Sequence, residues 1–170
     1  MADKWYALHV KAHKEQMVHD YLVSQGIADY YPYLRIEPVN PRSRKQKPFF
    51  PGYVFVRLDV DELGPNALRW TEGTYGLVSF GDEPAPVPDS LINGVRRRVE
   101  EVNAAGESVG PAMEPGDRVR IVEGAFEGYE AIFDANLAGK ERVQVLLSYL
   151  SQQPKRLIIK PEQVQKIDKD

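Results

Sequence analysis

Two short, adjacent stretches of the chain hold the side chains best placed to bind something. Arg42, Arg44, Lys45 and Lys47 put four cations into six positions with no acid between them. Such a run attracts phosphate or an acidic protein surface, and it equally suits a hairpin tip that only keeps a loop in water. Were all four to touch single-stranded nucleic acid, affinity would fall about fifty-fold between roughly 50 and 200 mM salt. Directly after them, Phe49-Phe50-Pro51-Gly52-Tyr53 gathers three aromatic rings around a Pro-Gly pair. The proline pushes Phe50 toward an extended backbone, and the glycine permits close chain approach. The rings read either as core or as a partly exposed docking patch.

Bond-making chemistry is poorly provided for. The chain has no cysteine, which removes disulfides, thiolate zinc sites and thiol nucleophiles. It also lacks G-x-S-x-G, a phosphate-binding P-loop, a dinucleotide fingerprint and His-Glu-x-x-His. His13 and His19 are six apart, off the i, i+4 spacing of a helical metal pair, so His9, His13 and His19 read as packed or solvent-facing. Asp59, Asp61 and Glu62 suit a solvated loop or a helix start better than a magnesium site. No enzyme, no metal and no cofactor is expected.

Composition agrees with a soluble binding protein. In 170 residues, 42% are hydrophobic and 28% charged, and no apolar run approaches the length of about eighteen that crosses a bilayer. The start, MADKWYALHV, lacks the features of a secretion signal. With 22 basic against 25 acidic residues, nucleic-acid contact must be local or assisted by a protein partner.

The elements that must position these residues form two modules, 1–102 and 116–170, joined by a connector over 103–115 rich in Gly, Pro and small residues. In the first, Lys4–Val10, Pro51–Asp59 and Tyr75–Phe80 read as strands, and 27–39 reads as extended. Met17, Val18, Tyr21 and Leu22 stripe a helix over 14–25 that Gly26 stops. A short helix is expected around Pro65–Trp70. A last helix, capped by Asp89 or Ser90, carries Leu91, Ile92, Val95, Val99 and Val102 on one side. Interleaved strands and helices predict an α+β domain. In the second module Arg118–Val122, Glu130–Phe133, Arg142–Leu147 and Leu157–Lys160 predict short strands, with Val164 and Ile167 closing a small all-β, SH3-like barrel. One stretch reads two ways. Val143, Val145 and Leu147 alternate as in a strand, whereas Val143, Leu146, Leu147 and Leu150 form a helical stripe, as do Phe126, Tyr129 and Phe133.

Taken in order, Trp5-Tyr6, the basic loop, FFPGYVFV, Gly76–Gly81, Pro86–Pro88 and GDRVRIVEGAFEGYEAIF resemble the NusG family of transcription elongation factors over nearly the whole chain. The spelling GAFEGYEAIF is most similar to the specialised paralogue RfaH. The resemblance implies an NGN-like α/β sandwich followed by a KOW domain of SH3-like barrel type, which in RfaH-type proteins switches to a helical hairpin over the polymerase site. It implies a bacterial, cytoplasmic, monomeric regulator that binds the β′ clamp helices of RNA polymerase and reaches toward the β side of the cleft. Such a protein suppresses pausing and modulates termination or antitermination, with a possible coupling of transcription to translation. On this likeness Trp5, Tyr6, His9, Phe49, Phe50 and Tyr53 serve polymerase binding. Arg42, Arg44, Lys45, Lys47, Tyr21, Ser24 and Gln25 are the positions for local contact with non-template DNA. Phe126, Leu147 and Leu150 are those for a small-subunit ribosomal protein or the termination factor Rho on the KOW side. Where RfaH carries a His-Thr-Thr stretch this chain has Gly64-Pro65-Asn66, so that contact with β is not implied. The alternative is a ribosome- or RNA-associated KOW protein whose first domain is a scaffold.

Overall fold

The computed structural model describes residues 3–35, 46–64, 66–105 and 129–152. Its first strand, β1 (Lys4–Val10), spans the residues that the sequence predicts, and its alternating side chains serve two cores. Trp5 and Ala7 point into one, and Tyr6, Leu8 and Val10 into the other. Against one edge of β1 lies β5 (Tyr53–Leu58), antiparallel from Lys4 opposite Leu58 to His9 opposite Tyr53. The other edge is shared by β6 (Thr74–Leu77) and β9 (Pro86–Val87). The two-residue β2 (Asp29–Tyr30) adds to the far side of β5. Two small hairpins stand apart, β3 (Tyr33–Arg35) with β4 (Gln46–Pro48), and β7 (Ser79–Phe80) with β8 (Glu83–Pro84).

Helix α1 (Glu15–Ser24) covers one face of the sheet by setting Val18 and Leu22 against Tyr6, Leu8, Val54 and Val56. The opposite face receives α3 (Asp89–Ala104), whose Leu91, Ile92, Val95, Val99 and Val102 are buried as the 3.6-residue period requires. Each such side chain removed from water contributes about 1.5–3 kcal/mol, which fixes α3 to the sheet without help from a cap. Pro88 stands at the α3 N-cap with no side-chain cap bond, so neither Asp89 nor Ser90 caps the helix, and Asp89 instead meets the helix dipole in the first turn. The α3 end reaches back to the β3–β4 hairpin. Asn103 Oδ1 accepts from the Arg35 backbone N–H at 2.8 Å, and its Nδ2 donates to the Tyr33 carbonyl at 3.1 Å.

The short helix lies earlier than expected. It is α2 (Val60–Leu63), capped by Asp59, whose carboxylate accepts from the Glu62 backbone N–H. Asp59, Asp61 and Glu62 are thus the cap and first turn of a helix, a placement that its dipole favours. Residues 66–70 are turns, with Leu68 at a φ of 65°.

The second module departs most from expectation. Residues Gly139–Ser151 form a helix, α4, where a strand over 142–147 was predicted, and Glu130–Phe133 is a 3-10 turn. Among the described residues no sheet closes into a barrel, which overturns the SH3-like expectation for this part of the chain. The physical reason is the surface on offer. Gly139, Arg142, Val143, Leu146, Tyr149 and Leu150 are buried at helical spacing, and together they meet an apolar face of the first domain. A helix satisfies its own backbone while presenting that stripe, whereas a strand here would need a hydrogen-bonding neighbour. The expected strands over 118–122 and 157–160, with Phe126, Val164 and Ile167, fall outside the described residues. Helix α3 runs to Ala104, two residues into the segment read as the connector.

Candidate partner-binding site

Phe49 and Phe50 follow β4 and enter β5 through a turn at Pro51-Gly52. Gly52 adopts a φ of 87°, where a side chain would be strained. Two hydrogen bonds hold this turn. The Gly52 carbonyl accepts from the Val10 N–H at 2.8 Å, and the Gly52 N–H donates to the Glu15 carboxylate at 2.7 Å. Glu15 is 3% exposed, so α1 and the aromatic turn are tied through a buried carboxylate.

The turn drives both phenylalanine rings inward, to zero exposure. Phe50 packs edge-on to Phe49 at 5.2 Å and to Phe55 at 5.7 Å, a geometry that aromatic quadrupoles favour. Tyr53, Val95 and Val99 are among the other first-domain residues of this cluster. The lid is the second module: Tyr129, Ile132 and Phe133 from the 3-10 segment, and Val143, Leu146, Tyr149 and Leu150 from α4. Both readings of the FFPGY rings therefore meet in one arrangement. They are core while α4 is seated, and they would form an apolar face without it.

Three contacts show how closely the lid fits. A Cβ built on Gly94 of α3 would lie 2.9 Å from Phe133 Cε1, and one on Gly139 only 2.6 Å from Pro51 Cδ. Both positions hold close approaches that need glycine. The third contact is Arg142, fully buried at 0% exposure. Its Nε donates to the Phe49 carbonyl at 2.9 Å, and one terminal nitrogen donates to the carbonyls of Asp134 (2.9 Å) and Leu137 (2.6 Å). The other terminal nitrogen is buried without a hydrogen-bond partner. Burial lowers its pKa to about 10, an effect that the Asp134 carboxylate partly offsets. A guanidinium dehydrated in this way carries a desolvation cost of several kcal/mol, so the seat of α4 combines good apolar packing with a built-in electrostatic penalty.

The structure brings together some of the expected site residues and separates others. Phe49, Phe50, Tyr53 and Trp5 belong to one core cluster, to which α4 also contributes. His9 stacks on Tyr53 at 4.8 Å and 9° from parallel at the exposed end of β1, and partial burial lowers its pKa. Tyr6 faces the other way, into the core under α1. Tyr21, Ser24 and Gln25 are exposed around the end of α1, and the Ser24 hydroxyl donates to the Tyr21 carbonyl at 2.6 Å. Lys47 is exposed on β4, while Arg42, Arg44 and Lys45 lie outside the described residues. Leu150 is 1% exposed and Leu147 partly buried, both at the lid. Sequence reasoning missed Arg142 as a buried donor, and it missed Gly94 and Gly139 as contact points. The helical stripe running through positions 139, 142, 143, 146, 149 and 150 was the available signal. Among the described residues no helix is long and apolar enough to cross a membrane.

Comparison with known proteins gives these features a setting. The family described as "NusG: Transcription termination factor nusG" matches residues 3–96. The protein named "Transcription termination/antitermination protein NusG" of Pseudomonas aeruginosa is 28% identical over 159 residues, covering 85% of this chain and 88% of the relative. Its namesake in Deinococcus radiodurans is 26% identical over 173 residues, with coverages of 87% and 91%. A solved structure titled "Domain interaction in Thermotoga maritima NusG" aligns at 22% identity with a TM-score of 0.40, over 71% of this chain and 67% of that one. These relatives bear the general NusG name, and their match gives no support to the RfaH branch in particular. With the family match spanning more than half of its length, the chain belongs to the NusG family of transcription elongation and termination factors, which are not catalysts.

Proposed function

We propose that this protein regulates elongating RNA polymerase by gripping the β′ clamp helices with the aromatic face around Phe49, Phe50 and Tyr53. The observation that carries this reading is that the face already holds a helix. In the free chain α4 lies on it with an apolar stripe, so its shape and chemistry accept a helical rod. Family membership supplies the transcription machinery as the place to look for the competing rod. Bridging the polymerase cleft opposes pausing and needs no chemical step.

On this reading α4 masks the polymerase site, and binding requires its release. A masked site is the trait that favours the RfaH-like branch over a general elongation factor. The second module contributes a further partner, a small-subunit ribosomal protein or Rho, through Leu147 and Leu150 once these leave the lid. The basic run 42–47 and the exposed end of α1 at Tyr21, Ser24 and Gln25 supply local contact with the non-template strand.

The test is retention of RNA polymerase on the immobilised full-length protein. Wild-type protein retains β′, and Phe50→Ala abolishes retention while the fold of the first domain persists. A hot-spot aromatic is worth about 2–3 kcal/mol, so the loss exceeds tenfold. Retention unchanged by Phe50→Ala, or no association by any variant that frees α4, overturns the reading.

A further inference from the structure

Next to the seat of α4 a cleft of about 620 Å³ stays open. It is lined by Pro48, Pro51, His9, Tyr75 and Lys47. Two features make it continuous with the covered face. Tyr75 packs on His9 at 4.7 Å and His9 stacks on Tyr53 at 4.8 Å, so a path of rings leads from the cleft to the cluster beneath α4. Pro51 belongs to both places, because it lines the cleft and is also the ring against which Gly139 opens α4.

The charge around the cleft is one-sided. Lys47 lines it, and the Lys11 ammonium lies 5.9 Å from the centre of the Tyr75 ring. Among the described residues the one carboxylate in the lining is Glu15, which is buried and already accepts from the Gly52 N–H. An apolar hollow with a cationic rim selects an apolar side chain that has a carboxylate close beside it.

We infer that this cleft is the part of the helix-binding face that remains accessible while α4 is seated, and that an incoming helix uses it as a first foothold. The inference rests on the proposed polymerase reading and adds to it an order of events. The partner inserts an apolar residue flanked by a carboxylate, crowds Pro51, and so disturbs the contact that has least room to give, that of Gly139. Helix α4 then lifts from its Gly139 end, and the Leu146–Leu150 end leaves last. A partner restricted to molecules that had already opened would gain nothing from the cleft.

The experiment uses the full-length chain and an isolated β′ clamp-helix fragment of RNA polymerase as the probe. Hydrogen exchange at sub-saturating fragment is expected to accelerate first at the amides of residues 142–145 and only later at those of 148–151. Ala12→Glu and Lys47→Glu, both at exposed positions on the cleft, are each expected to slow association about tenfold through lost charge complementarity. In a Gly139→Val background, where the first turn of α4 is already displaced, the same two changes should slow it less than about twofold. Uniform exchange along α4, or wild-type association rates for both charge variants, overturns the foothold while leaving the polymerase reading intact. A fragment that binds neither wild type nor Gly139→Val overturns both.

Discussion

The guanidinium of Arg142 lies 3.9 Å over the ring of Phe49, and its Nε donates to the backbone carbonyl of the same residue. One side chain of the second module thus reads both the face and the backbone of the residue that opens the aromatic segment. Because it also bonds the carbonyls of Asp134 and Leu137, it ties the 3-10 segment, α4 and the first domain to one point.

Arg142→Ala should unseat α4. The change removes the shared donor from three carbonyls, at a cost of about 1–3 kcal/mol. A helix of this length is marginal alone in water, so its loss from the seat lowers the helical signal in far-UV circular dichroism. Polymerase retention should rise in the same variant. An unchanged spectrum together with unchanged retention would show that the guanidinium does not hold the lid.

The two glycines at the lid should behave as steric switches. Gly139→Ala puts a methyl within 2.6 Å of Pro51 Cδ, and Gly94→Ala puts one 2.9 Å from Phe133 Cε1. Overpacking of this kind costs about 1–3 kcal/mol. On the proposed reading α4 is the element that moves, so the strain should appear as faster amide exchange in α4, with the sheet amides unaffected. Exchange accelerated throughout the sheet would place the strain in the first domain instead.

Acid should weaken the fold through His9. Its folded-state pKa lies below the ordinary 6.5 because burial disfavours the imidazolium. As pH falls from 6.5 toward that lowered value, the unfolded chain takes up the proton first, and stability falls with it. Above pH 6.5 the group is neutral in both states and contributes no slope. Urea midpoints at pH 7.5 and 5.5 should therefore diverge more for wild type than for His9→Gln. Equal divergence would remove His9 as the source.

Asn103 should govern the pairing of β3 with β4, the strand that carries Lys47. Its amide acts as a short strand partner for Tyr33 and Arg35, and Asn103→Ala leaves the Arg35 N–H and the Tyr33 carbonyl without it. The expected cost is about 1–2 kcal/mol, confined to β3 and β4. Chemical-shift changes limited to residues 33–35 and 46–48 would confirm that confinement, and a global loss of stability would contradict it.

Most of the first domain is legible in the sequence because its elements carry a single period. Lys4–Val10 alternates, and 91, 92, 95, 99 and 102 repeat as one face of a helix. The same alternation places neighbouring Trp5 and Tyr6 on opposite faces of the sheet. Residues 142–150 are different. Their apolar positions satisfy a period of two and a period of 3.6 at once, and the surface that decides between them belongs to residues nearly a hundred positions away. Arg142 was illegible for a related reason. An arginine reads locally as a solvent-facing position, and only the arrival of the Phe49 carbonyl explains its burial.

The enclosure of Phe49 and Phe50 has a consequence for how the molecule behaves in solution. Stripped of its lid, the face would present a broad, greasy plate with a few cations nearby, the kind of surface on which like molecules clump. A regulator awaiting a scarce target gains from keeping such a plate folded away, because its concentration can then rise without precipitation. Variants that shed the lid should accordingly self-associate at high concentration and stay dispersed when the target is supplied in excess.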